Sequence, residues 1–141
     1  MPFTEYTDQA ILNSFFGKTS NFGALASRPT VYVGLSTTTP NPDGTGVTEP
    51  STGSYARVST AAADWNTATL ANPAVVTNAN AVTFPTATAT WSSGSNMTYA
   101  VLYDAATVGN CLGYGALSTP KPVLNGDVAQ YAAGQISVTL A

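Results

Sequence analysis

The hydrophobic and polar residues of this chain follow two different periods. Near the N-terminus the apolar residues recur at helical spacing, between a capping Thr4 and a terminating Gly17. These apolar residues are Ile11, Leu12, Phe15 and Phe16. We therefore expect residues 1–17 to form an arm and one short α-helix. Its apolar face would pack on this domain or on a neighbouring subunit.

From residue 30 onward the apolar residues alternate with polar ones, which is the period of β-strands. Strands are predicted at residues 30–36, 54–60, 75–78, 81–84, 86–91, 97–103, 111–117 and 136–140. The strand at 97–103 is apolar on both faces, which predicts a central position in a sheet. Asn125 and Gly126 are a strong signal for a two-residue hairpin.

One long segment interrupts this pattern. Residues 37–53 contain three prolines and three glycines, which predicts a long exposed loop. Loops of this length inside a domain are usually functional or disordered. This loop and the N-terminal arm are therefore the segments most able to reach a neighbouring molecule.

Short strands separated by regular turn signals predict a mainly β protein. We expect residues 1–141 to form a single domain, either an antiparallel β-sandwich or a partly closed barrel of the jelly-roll kind. One short N-terminal α-helix would complete it. A chain of 141 residues is long enough to bury a core without disulfide or metal staples.

The surface chemistry excludes several classes of partner. Only 8% of the residues are charged, four basic and seven acidic, against about 25% in a typical soluble domain. Scattered basic residues and a net charge of −3 argue against a nucleic-acid partner. No apolar run approaches the ~20 residues that span a bilayer, and the first residues lack signal-peptide features. The sequence thus predicts no membrane partner and synthesis in a cytoplasm.

Catalytic chemistry is equally sparse. The chain has no histidine, and Cys111 is its one cysteine, so the sequence predicts a structural thiol. The acidic residues fall mostly in predicted turns, where they cap backbone groups. The segment 39–44 resembles a calcium loop but lacks the required ligands, and a Pro-Asp-Gly turn explains it better. We therefore predict no enzyme, no catalytic residue, no cofactor and no metal site.

Arg57 is the most informative charged residue. It lies in a predicted strand beside Tyr55, in a chain that has four cations. One interpretation is an ordinary salt bridge to an acidic residue. The other is a fixed contact at a protein–protein interface, where Arg and Tyr are enriched.

Several short motifs, taken in order, resemble a family of small tailed-phage virion proteins. Members of that family are often labelled tail-fibre-like, and some are capsid decoration or cement proteins. The matching pieces are the opening helix, Val31–Leu35, Gly53–Arg57, Thr77–Asn78, Ala81–Pro85, Trp91, Tyr103–Asn110, Gly115–Leu117, Thr119–Pro122, Gly126–Asp127 and Ile136–Leu140.

The resemblance implies a structural part of a phage particle. No heptad, Gly-X-Y period or other repeat indicates a fibre shaft, which favours a cement protein on the outer capsid surface. Its partners would be the major capsid protein and other copies of the chain, as homotrimers. The alternative is a small subunit of the tail or tail fibre, or a glycan-binding adhesin in which Trp65, Trp91 and tyrosines stack on sugars.

The candidate interface residues follow from the arm, the long loop and the residues at its base. They are Phe3, Tyr6, Phe16, Pro40, Asp43, Glu49, Tyr55 and Arg57.

Overall fold

A computed structural model describes residues 3–20, 22–23, 25 and 28–140. It is mainly β, with 31% strand and 13% helical residues and antiparallel sheets. The predicted fold class is therefore confirmed, and the architecture is consistent with a β-sandwich that carries one N-terminal helix. Among the described residues no sheet closes into a barrel.

The described residues form one α-helix, eight strands and two short 3-10 helices, Ala62–Asp64 and Trp91–Gly94. The α-helix and the strands are α1 (Glu5–Phe15), β1 (Val31–Ser36), β2 (Val58–Thr60), β3 (Ala74–Thr77), β4 (Val82–Thr83), β5 (Met97–Tyr103), β6 (Cys111–Lys121), β7 (Gln130–Tyr131) and β8 (Ser137–Leu140). None of the described helices is long and apolar enough to cross a membrane.

Helix α1 begins and ends where its sequence predicts. The Thr4 hydroxyl accepts a hydrogen bond from the Thr7 backbone N–H, and Gly17 ends the helix with a φ of 72°. Asp8 lies near the start of the helix, and its side chain is buried. Leu12 and Phe16 are buried on the apolar face.

The chain divides into two compact units, each built from separated segments. The first unit comprises Met1–Pro29, Ala61–Val82 and Tyr131–Ala141, and the second comprises Thr30–Thr60 and Thr83–Gln130. The chain therefore passes four times from one unit to the other. Neither unit is a continuous stretch of sequence.

In the first unit, β3 pairs antiparallel with β8, and Ala74 lies opposite Leu140. The Phe16 and Trp65 rings pack with their centroids 4.4 Å apart, and both side chains are almost fully buried. Asn78 accepts a hydrogen bond from the Ile136 N–H through its side-chain oxygen. This amide thereby ties the segment after β3 to the start of β8.

In the second unit, four strands form one sheet in the order β2-β1-β5-β6. The prediction that residues 97–103 form a central strand is confirmed, because β5 lies between β1 and β6. Trp91 is fully buried against Tyr55, with 5.1 Å between the ring centroids. Its indole N–H donates to the Gly53 carbonyl oxygen.

Three local predictions are wrong. Residues 86–91 form no strand, because the N–H groups of Ala87 and Trp91 donate to carbonyls of a loop and not to a ladder. The predicted strand at 54–60 is reduced to β2, because Ser54 adopts a positive φ of 63°. Asn125 and Gly126 do form a turn, but the strands on either side pair elsewhere.

Candidate functional site

The structure brings together three of the candidate interface residues, Glu49, Tyr55 and Arg57. The Tyr55 hydroxyl donates to Glu49 Oε1 at 2.6 Å, and Arg57 Nη2 donates to Glu49 Oε2 at 2.6 Å. Arg57 Nε contacts both carboxylate oxygens, at 3.0 and 3.1 Å. The salt-bridge interpretation of Arg57 is thus confirmed, with a forked geometry that lysine could not reproduce.

Arg57 also holds a second loop. Its Nη1 donates to the backbone carbonyls of Ala105 and Val108, at 2.9 and 2.7 Å. The guanidinium carbon lies 3.4 Å from the centroid of the Tyr103 ring, which is a cation–π contact. Only 7% of the Arg57 side chain is exposed, so most of its surface is shielded from solvent.

The electrostatics of this cluster stabilise one protonation state. Burial raises the pKa of Tyr55 far above its ordinary value, and its hydrogen bond to Glu49 raises it further. Burial of Arg57 disfavours its charge, yet the bonds and the charge of Glu49 outweigh that cost and raise its pKa. The phenol therefore remains a donor and the guanidinium remains a cation at any physiological pH.

The loop held by Arg57 spans residues 104–110 and joins β5 to β6; we call it the tip loop. The Asp104 carboxylate accepts hydrogen bonds from the N–H and the side-chain amide of Asn110, both at 2.7 Å. Gly109 has a φ of 71°, and a Cβ there would lie 2.4 Å from Asp104 Oδ1. Hydrogen bonds between Asp104 and Asn110 thus join the two ends of the tip loop, and Arg57 binds two of its backbone carbonyls.

Val108 is the exceptional residue of the tip loop. Its φ is 56°, which is a true outlier for a β-branched side chain, and 85% of its surface is exposed. Left-handed backbone costs an L-residue roughly 1–2 kcal/mol, and this exposed side chain recovers little by burial. Strain of this kind is often retained at functional sites.

The remaining candidate residues are not members of this hydrogen-bonded cluster. Phe3 and Tyr6 are exposed, at 62% and 46%, and the Tyr6 ring meets Phe22 edge to face at 5.8 Å. Phe16 and Pro40 are buried within the chain, so neither side chain is available to a partner in this structure. Asp43 is exposed.

The segment around Asp43 is the expected turn. Its carboxylate accepts hydrogen bonds from the N–H and the hydroxyl of Thr45. The Gly44 N–H donates to the Asn41 carbonyl, and Gly44 has a φ of 82°. The Pro-Asp-Gly turn explanation is confirmed.

Two further sequence hypotheses concern aromatic and metal sites. Trp65 and Trp91 are 2% and 0% exposed, so neither offers a stacking face to a sugar, and core packing is their role. Within the described part of the chain, no three Cys, Asp or Glu side chains group closely enough to hold a metal ion. Cys111 is a free, half-buried thiol whose pKa is raised by burial.

The sequence predicts residues 104–110 only as a turn. It predicts neither the strained backbone of Val108 nor the contacts with Arg57. A signal was present, since Val108 is an apolar β-branched residue between turn-forming neighbours and directly before Gly109. The two carbonyl contacts from Arg57, 48 and 51 residues away in sequence, leave no such signal.

A comparison with known families gives a match over nearly the whole chain. A family model described as "Podophage GP4 fiber I protein gp80" matches residues 2–139, which is nearly the whole chain. No curated protein matches the chain with significance.

We predict that Arg57→Met lowers the free energy of unfolding by about 3–5 kcal/mol, because Glu49 is left without its counter-charge. Glu49→Leu in the same chain should recover part of that loss, since it removes the orphaned carboxylate. Urea denaturation followed by tryptophan fluorescence measures both. Lys121→Met, at an exposed position, serves as the matched control and should change stability by about 0.5 kcal/mol or less. Strict additivity of the two substitutions would contradict a coupled pair.

We also predict that acid weakens the tip loop. The Asn110 hydrogen bonds hold the pKa of Asp104 below its ordinary value of 3.8. A carboxyl with a lowered folded pKa stabilises the fold above the unfolded pKa and loses that contribution as pH falls through the folded one. Asp104→Asn should therefore lower the free energy of unfolding at neutral pH. Below pH 3.8, that free energy should fall less steeply with pH in the variant than in wild type. Denaturation curves in an acid series measure this, and an unchanged pH slope in the variant would contradict it.

Proposed function

The chain belongs to the podophage GP4 fiber I protein family, a family of phage virion structural proteins, and we propose that it is a non-enzymatic subunit of a virion fibre. The match carries this proposal, because it covers residues 2–139 and its description names a fibre. The cement role expected from the sequence has no comparable support. The fibre role, previously the alternative, therefore becomes the leading hypothesis.

The chemistry of the chain supports a structural part over an enzyme. Without histidine, the commonest general base is missing from the sequence. In the polar cluster around Arg57, the guanidinium N–H groups donate to a carboxylate and two carbonyls of the same chain. Such a cluster fixes the shape of a surface loop.

We place one contact with a neighbouring virion protein at the tip loop. Arg57 and Asp104 hold this loop in one conformation, so little conformational entropy would be lost on binding. Val108 at its end is apolar, exposed and strained. A second contact would be the aromatic arm, where Phe3 and Tyr6 are exposed.

A capsid cement protein is the second candidate. The low charge and the lack of any shaft repeat in the sequence favour it. In that role the chain would bind neighbouring copies of the major capsid protein on the outer shell, as homotrimers. Multivalent attachment would make the modest contacts of each copy add up.

Counting the copies of the chain per purified particle separates the two roles. A fibre is a closed symmetric assembly, so quantitative mass spectrometry should find roughly three to a few dozen copies. On the order of hundreds of copies would contradict the fibre and favour cement, since a shell repeats its subunit over its whole surface. Thermal release of DNA from particles without the protein gives a second readout, because loss of cement lowers the release temperature.

Val108→Asn tests the tip-loop contact. Asn tolerates left-handed backbone better than Val, so the isolated protein should gain up to about 1 kcal/mol of stability. Its incorporation into particles should nevertheless fall, because the apolar contact is removed. Val128→Asn is the matched control, since Val128 is also exposed but lies outside the tip loop. Normal incorporation of Val108→Asn would contradict a contact at this loop.

A further inference from the structure

The buried side of helix α1 carries a carboxyl group without a hydrogen-bond partner. Asp8 is 1% exposed, and in the described chain neither of its carboxylate oxygens forms a hydrogen bond. Protonation would remove the charge but would still leave a donor and an acceptor unsatisfied. The other buried polar side chains of α1, Asn13 and Ser14, both form hydrogen bonds. Burial of Asp8 therefore costs free energy, since its hydration is lost and nothing replaces it.

Side-chain amides and an aromatic ring hold α1 on the first unit. Gln9 Nε2 donates to the Ala68 carbonyl at 3.0 Å, and Asn13 Oδ1 accepts a hydrogen bond from the Ala68 N–H at 2.8 Å. Gln9 and Asn13 lie one helical turn apart, so together they bind both backbone groups of a single residue. The Phe16 ring packs on Trp65. These contacts favour the docked helix, whereas the buried Asp8 opposes it.

The residues that follow α1 fold back on the helix. The Ser14 hydroxyl donates to the Gly23 carbonyl at 2.9 Å, and the Ser20 hydroxyl donates to the Ala10 carbonyl at 2.9 Å. Both bonds join the helix to the segment directly after it, so they persist if α1 leaves the rest of the first unit. The described residues 4–20, 22 and 23 can therefore move as one body, which we call the strap.

We propose that the strap opens from the first unit while the rest of the fold stays intact, and that Asp8 sets how often it opens. Opening returns the Asp8 carboxylate to water, so the free energy that its burial costs is recovered. Segments with the least net stabilisation are the ones that open locally in native proteins. Leu12 and Phe16, which are buried when the strap is closed, become exposed. The open strap thus presents an apolar face that the closed protein hides.

Asp8→Leu tests this proposal. Leucine has the same branched shape as aspartate, with methyl groups in place of the two oxygens. Because an apolar side chain needs no hydrogen bond, the closed strap should gain stability. Hydrogen exchange of the isolated protein, followed by mass spectrometry of its peptides, measures the opening. The α1 amides should exchange about tenfold more slowly in the variant than in wild type.

Glu5→Leu is the matched control. Glu5 is the other acid in the first turn of α1, and its side chain is exposed. Both substitutions therefore remove one negative charge from the helix N-terminus, where an acid is favourable. Only Asp8→Leu also removes a buried, unsatisfied carboxyl group. In Glu5→Leu the α1 amides should exchange at least as fast as in wild type.

Asn13→Leu should act in the opposite direction. It leaves the buried Ala68 N–H without the side-chain oxygen that accepts its hydrogen bond. An unsatisfied buried donor destabilises the closed strap, so the α1 amides should exchange about tenfold faster than in wild type.

A comparison within the wild-type protein needs no variant. The α1 amides should exchange faster than those of β5, the central strand of the second unit's sheet, because the strap opens without global unfolding. One common exchange rate for α1 and β5 would overturn the proposal, since the helix would then open only with the whole fold.

A second result would also overturn it. If the α1 amides of Asp8→Leu exchange as fast as in wild type or faster, the Asp8 carboxyl group does not oppose docking. Slower exchange in Asp8→Leu, together with no slowing in Glu5→Leu, supports the proposal. The isolated protein decides this question, whereas copies per particle decide the fibre role, so either can fail without the other.

Discussion

The guanidinium of Arg57 is the contact on which the second unit depends. Two of its nitrogens bind the Glu49 carboxylate, the third binds two carbonyls of the tip loop, and its face covers the Tyr103 ring. One side chain thereby joins the end of the long loop, the central strand β5 and the β5–β6 connection. With only four cations in the sequence, the chain has few alternatives for such a junction.

A glycine in the sheet leaves space for the Glu49 carboxylate that Arg57 binds. Gly34 lies beneath it on β1, where any Cβ would collide with Glu49 Oε1 and press on the Tyr55 hydroxyl at 3.0 Å. That hydroxyl in turn accepts a hydrogen bond from the Leu35 N–H. A glycine in a strand normally costs stability, yet here it lets a buried ion pair approach the backbone closely. The polar cluster and the sheet therefore require each other.

The sequence predicted those elements whose signals are local. Thr4 and Gly17 bound the helix, and alternation located β1 and β5. The strand prediction for residues 86–91 was wrong because alternation cannot show whether a segment has a partner strand. Here the N–H groups of Ala87 and Trp91 donate to loop carbonyls. The acid that pairs with Arg57 could not be chosen among seven, since the choice depends on how the long loop returns to the sheet. The strained backbone of Val108 likewise results from distant contacts.

The four passages of the chain between its two units have a consequence during synthesis. Strand β3 ends at Thr77, but its partner β8 begins at Ser137, so a ribosome must translate the whole of the second unit before the first can close. Such long sequence separations slow folding. A nascent chain would meanwhile expose Val76, which is fully buried in the finished protein. The first unit can therefore close only after the second unit has left the ribosome.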